Sequence, residues 1–273
     1  MQKKYILIFV FLIASILMSC SEYQKVLKSP NLDYKYTKTV EYYNEGEYLK
    51  ALPLLEELIP LYRGTDKGQE IYYYYCYSNY YLDFLITAAY HFKKYAETYT
   101  TSKYAEDALF MSAYCNYLDS PEPTLDQKPT YKALDELQLF VNAYPKSPLV
   151  DSANQLVDEL RFKLEVKSFN NSKQYYKIRK YNSAVNSLNN TLEEYPGTIY
   201  AEEIKLLILK SYYYLALNSV EEKKRERFDK GIEAYYDFID NFAEGKSINE
   251  AEEIYAKIIR EREKLGIKKD EEL

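Results

Sequence analysis

The sequence has no Trp, a single His, and only 7 Gly and 9 Pro among its 273 residues. So few Gly and Pro residues exclude a β-rich fold with many tight turns, and they favour stacked α-helices. One His and three Cys are too few for a clustered metal site. No P-loop, Gly-x-Ser-x-Gly or dinucleotide-binding motif occurs either. We therefore predict a binding protein with no catalytic residues, no metal and no cofactor.

The charge balance is acidic, with 42 Asp and Glu against 36 Lys and Arg and a formal net charge of -6. Nucleic-acid binding requires clustered basic residues that neutralise phosphates, and no such excess is present. Where charges concentrate, as in residues 221–227, acidic and basic side chains occur together, as on a solvated helix face. The sequence therefore predicts no nucleic-acid partner.

The N-terminus has the pattern of a secretion signal. Two Lys residues precede an apolar run that reaches Met18 and is closed by a Ser and a Cys. The run is about long enough to span a bilayer, so an uncleaved membrane anchor is the alternative. Residues 17–20, at the end of this run, resemble the lipobox of bacterial lipoproteins, which implies acylation of Cys20 and cleavage before it. No Asp follows Cys20, so we predict a signal peptide at 1–19, a lipidated linker at 20–31 and attachment to the outer membrane, facing the periplasm.

Two further thiols, Cys76 and Cys115, remain in a chain that is directed to an oxidising compartment. Their spacing matches neither a disulfide framework nor a metal site. We expect both to pack as small hydrophobic residues without forming a bond to each other. The only His, His91, is interpreted as a solvated or packing residue.

A helical pattern of apolar residues recurs five times along the chain. Each copy places apolar or small residues at i, i+3, i+7 and i+10, which is one face of an α-helix. The same small position is filled by Ala51, Ala88, Ala133, Ala184 and Gly231. Another amphipathic helix precedes each copy, which resembles the tetratricopeptide repeat. We predict an all-α, tetratricopeptide-type helical solenoid of about five repeats, with a C-terminal capping helix near 248–265 and a frayed tail at 266–273.

Five segments carry a more specific resemblance through their order, their aromatic residues and a Pro-containing insertion. They are residues 90–113, 120–129, 133–145, 151–177 and 181–196. Together with the lipobox and the repeat number, they resemble the outer membrane protein assembly factor family BamD. The likeness covers nearly all of the chain after Cys20.

The resemblance implies a lipoprotein subunit of the β-barrel assembly machine, held to the membrane by its acyl chains. It implies that the N-terminal repeats, at 32–145, receive the C-terminal segments of unfolded outer-membrane proteins. It also implies that the C-terminal repeats and capping helix, at 146–265, dock on the periplasmic domains of the barrel-forming subunit.

The first helices of the first three repeats present a nearly continuous series of aromatic residues, with two Asn at matching places. Tyr combines a large apolar face with a polar tip, so such a series suits an extended peptide. The alternatives are that the rings pack between helices and that the amides bond local polar groups. The candidate peptide-binding residues are Tyr36, Tyr43, Tyr73, Tyr77, Asn79, Tyr80, Phe110, Tyr114, Asn116 and Tyr117.

Two other functions are alternatives to that of an assembly-machine subunit. Another periplasmic tetratricopeptide lipoprotein, a scaffold for cell-wall or division proteins, would be expected to carry a coiled-coil or low-complexity leader before its repeats. Only the short stretch 21–30 precedes them here. A glycan-binding or glycan-cleaving lipoprotein would need an added domain, and the repeats use nearly all of the chain.

Overall fold

A computed structural model of the protein describes residues 22–271, and within them the regular structure is entirely helical. The predicted signal peptide and Cys20 lie outside these residues. A helical stretch at residues 22–27 comes first. Eleven longer helices follow in the described chain: α1 Leu32–Asn44, α2 Tyr48–Leu61, α3 Asp66–Tyr81, α4 Leu85–Thr98, α5 Ala105–Leu118, α6 Lys128–Ala143, α7 Val150–Lys177, α8 Tyr181–Glu194, α9 Ala201–Leu217, α10 Glu221–Phe242 and α11 Ile248–Glu271.

The helices form two compact units, each with its own core. Unit 1 ends at Leu160 and unit 2 runs from Arg161 onward, with Glu122–Thr124 belonging to unit 2. In unit 1 each helix from α1 to α5 packs against the next helix in the chain, and in unit 2 the same holds for α8, α9 and α10. Sequential packing of antiparallel helix pairs is the arrangement of tetratricopeptide-like repeats. The predicted fold class is confirmed.

The boundary between the units falls within α7, whereas the sequence placed its division at residue 145. The first part of α7 belongs to unit 1 because Ala153, Val157 and Leu160 are buried in the unit 1 core. Phe169, farther along α7, is buried in a separate core of unit 2. A single helix thus supplies apolar residues to both units.

Small residues lie where paired helices come closest. Ala51, Ala88, Ala133 and Ala184 have no exposed surface. In the fifth copy Gly231 takes this place, where a Cβ would lie 2.8 Å from Cδ1 at the end of the Ile258 side chain on α11. The interior of a protein is close-packed, so even one methyl group decides which residue fits. The shared register of small residues in the sequence is therefore a packing register.

Three of the turns between paired helices have the same backbone geometry. Gly46, Asp83 and Arg179 each adopt a positive φ, of 79°, 62° and 61°. In each turn the next residue donates its N–H to a carbonyl five residues earlier, as Phe84 does to Asn79 at 2.9 Å. This is the hydrogen bond that closes a helix with a left-handed residue, for which Gly is preferred. Only the first turn has Gly, so the other two carry local strain.

The last helix is longer than the sequence predicted. α11 continues to Glu271, whereas we placed its end near Leu265 and a frayed tail at 266–273. Gly266 does not end the helix, and no Pro follows it. The Lys, Asp and Glu residues that come next are compatible with a helix, so nothing in the local sequence stops it.

Candidate peptide-binding surface

The aromatic candidates lie together on unit 1, on the first helices of three consecutive repeats. We call them the tyrosine surface. Each is half-buried, so the rings are held by neighbours yet keep an exposed portion. The members are Tyr36 and Tyr43 on α1, Tyr73, Tyr77 and Tyr80 on α3, and Phe110, Tyr114 and Tyr117 on α5.

Carboxylates on the first helix of the next repeat accept hydrogen bonds from the tyrosine hydroxyls. The Tyr36 hydroxyl donates to Oε2 of Glu70 at 2.6 Å. The hydroxyls of Tyr73 and Tyr77 both donate to Oδ2 of Asp107, each at 2.7 Å. Hydrogen bonds to an ionised acceptor are stronger than those between neutral groups. The rings are therefore fixed in place before any ligand arrives.

The same contact recurs farther along the surface and on its flank. Tyr117 on α5 donates its hydroxyl to Oε2 of Glu159 on α7. Tyr74, beside Tyr36, donates to the other oxygen of Glu70 at 2.9 Å. A phenol that donates to a carboxylate still has oxygen lone pairs available. These hydroxyls can therefore accept an N–H group from a bound chain.

Burial and the nearby carboxylate together keep these phenols protonated. Burial raises the pKa of Tyr73 and of Tyr77 far above the usual value, and the hydrogen bond to Asp107 raises both further. For Tyr117 the bond to Glu159 is the larger cause and raises the pKa to about 12. A deprotonated phenol next to a carboxylate would place two negative charges together. The surface therefore presents neutral tyrosine hydroxyls beside the carboxylates that accept their hydrogen bonds.

Ring contacts connect the members of the tyrosine surface on α3 and α5. Tyr77 meets Tyr80 with ring centroids 6.3 Å apart, and Tyr80 meets Tyr114 of the next repeat at 6.4 Å. Tyr114 is stacked with Phe110 at 6.1 Å and with Tyr117 at 5.9 Å. Aromatic rings at these separations attract one another. The members on α3 and α5 thus form one aromatic tract, and Tyr43 flanks it through its stack on Tyr74 at 4.3 Å.

The two Asn residues do not belong to this surface, which corrects the sequence-based site. Asn79 is 2% exposed and Asn116 is 6% exposed. The Nδ2 group of Asn79 donates to the carbonyl of Tyr75 at 2.8 Å, and that of Asn116 donates to the carbonyl of Ser112 at 2.8 Å. Each amide is satisfied by the preceding turn of its own helix, as the alternative interpretation had it. Neither is available to a peptide.

Three other tyrosines are buried in the core of unit 1. Tyr72, Tyr75 and Tyr95 are at most 9% exposed. Tyr104 is only half-buried and is stacked on Tyr73 with centroids 4.2 Å apart. His91 packs among rings, with Nδ1 at 3.0 Å from the Tyr72 hydroxyl. Burial lowers its pKa, which favours the neutral ring.

Sequence reasoning missed the acidic partners, although a signal was present. Asp33, Glu70 and Asp107 recur at intervals of 37 residues, one near the start of each first helix. Tyr36 and Tyr73 have the same interval, and each bonds the acid 34 residues farther along. A regular offset between a donor and an acceptor in successive repeats indicates a contact between neighbouring helices.

Unit 2 has a cavity of a different chemistry, which we call the basic pocket. It has a volume of about 930 Å³ and is lined by three cationic and three tyrosine side chains, together with smaller polar and apolar residues. The Tyr181 and Tyr214 rings are stacked there, 5.4 Å apart. The cationic side chains form no ion pair with any described residue. They are Lys177, Arg179 and Lys180.

Other site chemistry has no visible basis in the part of the chain that the structure covers. Between residues 22 and 271, no group of three or more His, Cys, Asp or Glu side chains is placed to hold a metal ion. Within the same range, no helix combines the length and the apolar character needed to cross a bilayer. Cys76 and Cys115 are both buried and unbonded, and burial raises the pKa of the Cys115 thiol to about 12. Such thiols are unreactive.

The paired helices define a repeat protein of the tetratricopeptide type whose exposed aromatic tract is suited to binding. Residues 31–228 match the family described as outer membrane lipoprotein (YfiO), and the chain belongs to that family. None of the curated proteins matches the chain. Among solved structures, two forms of a kinesin light chain with nearly identical TPR-like repeats from Podosopora anserina, one of them a point variant, are 10% identical at a TM-score of 0.34. The match covers 74% of this chain and 93% or 94% of those chains.

Proposed function

We propose that this lipoprotein is a subunit of the β-barrel assembly machine that binds the C-terminal segments of unfolded outer-membrane proteins on its tyrosine surface. The observation that carries the proposal is that Asp107 accepts hydrogen bonds from the hydroxyls of both Tyr73 and Tyr77, which belong to the exposed aromatic tract. Rings that are already ordered lose little entropy when a peptide binds. Such a surface binds an extended chain through ring contacts and through hydroxyls that accept its N–H groups.

The carboxylates that accept from these tyrosines favour some parts of a peptide over others. Glu70, Asp107 and Glu159 each accept from a tyrosine of this region. A peptide carboxylate placed over them would be repelled, whereas aromatic side chains and backbone N–H groups would be attracted. The surface therefore suits the strand portion of a barrel segment, with its alternating apolar residues, better than the terminal carboxylate itself.

The basic pocket suits the second task, which is docking on the barrel-forming subunit. Lys177, Arg179 and Lys180 give a local positive charge to a protein that is acidic as a whole. The neighbouring tyrosines supply the aromatic anchors that interface centres prefer. We assign to this pocket an acidic segment of the periplasmic domains of the barrel-forming subunit. Acyl chains on Cys20 would keep both tasks at the periplasmic face of the outer membrane, as membership of the outer membrane lipoprotein family supports.

The test is a binding titration of the mature protein with a labelled peptide from the C-terminus of an outer-membrane barrel. Replacing both Tyr73 and Tyr77 by Ala should weaken binding at least tenfold, because aromatic hot-spot residues contribute about 1–2 kcal/mol each. Replacing both by Phe keeps the rings and should weaken it less. The matched control is Tyr90→Ala on α4, which removes an exposed Tyr outside the tyrosine surface.

Each variant is first checked for native helix content and melting temperature, so that misfolding is not mistaken for lost contact. Equal affinity of the double Ala variant and the control would refute peptide binding at this surface. A separate purification from membranes tests the assembly role. Recovery of a barrel-forming protein with periplasmic repeat domains supports it. Recovery of cell-wall or division proteins in its place would favour the alternative scaffold function.

A further inference from the structure

The described chain begins at one particular edge of unit 1. The helical stretch 22–27 lies antiparallel to α1, since Nζ of Lys35 donates to the carbonyl of Leu27 at 3.0 Å. At the other end of the stretch, the Tyr23 ring meets the Tyr42 ring with centroids 5.9 Å apart. Tyr42 is near the end of α1, so the start of the described chain lies beside the turn that joins α1 to α2.

That edge is unusually apolar. Six large apolar or aromatic side chains are exposed around the three turns that join α1 to α2, α3 to α4 and α5 to α6, and we call this the turn edge. Leu49 is 74% exposed and Ile86 is 68% exposed, and the two occupy equivalent positions 37 residues apart. Such exposure of clustered apolar side chains indicates an interaction surface. The six are Leu49, Tyr81, Phe84, Ile86, Leu118 and Leu125.

The opposite edge of unit 1 has another character. The turns from α2 to α3 and from α4 to α5 consist mainly of polar residues, at positions 63–67 and 100–103. Two large aliphatic residues are exposed there, Leu61 at the end of α2, at 54%, and Leu32 at the start of α1, at 40%. Both edges consist of helix ends and turns, so we attribute the difference in their exposed side chains to the surroundings that each edge contacts.

We propose that the turn edge of unit 1 rests on the lipid surface to which the protein is anchored. The inference depends on the acylation of Cys20 in the proposed function. Cys20 is two residues from Glu22, so covalent geometry keeps the two within about 7 Å of each other. Acyl chains on Cys20 therefore enter the bilayer close to Glu22, whose neighbour Tyr23 contacts Tyr42 near the first turn of this edge. Leu, Ile, Phe and Tyr are the residues that partition into the interfacial layer of a membrane.

The charges of the edge define which lipid surface it meets. Glu45 lies in the first turn and Asp83 in the second, and both are exposed, whereas the exposed Glu47 is paired with Lys50 at 3.1 Å. These carboxylates are repelled by anionic headgroups and are tolerated by zwitterionic ones. The surface that fits is therefore a zwitterionic one, such as phosphatidylethanolamine, and contact should weaken as anionic lipid is added.

The absence of Trp from the chain gives a clean test. Ile86→Trp introduces a single Trp on the turn edge, and Leu61→Trp introduces one on the opposite edge as a matched control. Both variants are prepared as full-length mature lipoproteins in vesicles of phosphatidylethanolamine and phosphatidylcholine that carry brominated acyl chains. We expect the fluorescence of the first to be quenched at least twofold more than that of the second, and less so in vesicles rich in phosphatidylglycerol.

Equal quenching of both variants, or of neither, overturns the proposal. Stronger quenching on anionic vesicles also overturns it, since the acidic turns would then not act as argued. A change in Trp emission that requires the barrel-forming subunit would overturn it too, because a protein would then cover the edge instead. Flotation with the vesicles separates this from the proposed function: protein that does not float has no acyl anchor, whereas protein that floats without quenching has the anchor but not the contact.

Discussion

Buried tyrosines make the stability of unit 1 sensitive to alkaline pH. Burial raises the pKa of Tyr72, Tyr75 and Tyr95, and that of Tyr95 rises to about 12 from an ordinary value of 10.0. In the unfolded chain each phenol releases its proton near the ordinary value. The folded-state pKa is thus the higher one, so this stability is fully present below pH 10 and is lost as the pH rises toward 12.

The magnitude follows from proton linkage. At pH 11 a phenol with the folded pKa of Tyr95 costs about 1.4 kcal/mol of stability, and the raised pKa values of Tyr72 and Tyr75 add to this loss in the same direction. Native domains are stable by about 5–15 kcal/mol, so the combined loss is a substantial part of the total. We expect cooperative loss of helix between about pH 10.5 and 12, followed by far-ultraviolet circular dichroism and by tyrosinate absorbance on the same samples.

Tyr95→Phe is the decisive variant. It removes a titrating group and a contact with Oγ of Ser102 at 2.9 Å. Near neutral pH it should be less stable by about 1 kcal/mol, because one hydrogen bond is lost. Toward pH 11 its stability should approach or exceed that of the unsubstituted protein. Stability curves that stay parallel at every pH, or tyrosinate that forms at pH 10 without loss of helix, would refute the linkage argument.

Three other predictions concern packing and turns, and denaturant unfolding or limited proteolysis measures them. Gly68→Ala would place a Cβ 2.0 Å from a backbone carbonyl oxygen, so the free energy of unfolding should fall by about 1–3 kcal/mol. In Gly266→Ala the new Cβ meets no atom within 4 Å, so the free energy of unfolding should rise by about 0.5–1 kcal/mol. Equal effects of the two substitutions would contradict this. Asp83→Gly relieves a φ of 62° and should stabilise by about 0.5–1 kcal/mol, and a loss would show that the turn carries no strain. Lys35→Met removes a buried ammonium that holds the 22–27 stretch, so early proteolysis should shift to that stretch, and an unchanged cleavage pattern would count against its role.

The helices were predictable because their signals are local. The register of Ala51, Ala88 and Ala133 follows from periodicity, and the turn at Gly46 from one residue. The extent of α2 was less clear, since it reaches Leu61 through two internal Pro residues. Packing of its apolar face outweighs the hydrogen bonds that Pro removes.

The candidate site was predictable only in part. The aromatic positions could be assigned to a helix face from their spacing, but the partners of their hydroxyls could not, because Glu70 and Asp107 lie a full repeat away. Asn79 was predicted on the peptide-binding surface, but it is buried. An amide that bonds its own helix can be buried at little cost. Local pattern identifies which face a residue occupies, whereas satisfaction of its polar atoms depends on the neighbouring repeat.

The hydroxyl-to-carboxylate contacts also make the first repeats interchangeable. Tyr36 bonds an acid 34 residues ahead, and the acids themselves recur every 37 residues, starting with Asp33. A tandem copy of residues 33–69 would therefore place its own Asp33 opposite the original Tyr36, while the copied Tyr36 would meet Glu70. The inserted unit would be bonded on both sides, so the protein could be lengthened one repeat at a time, and the tyrosine surface with it.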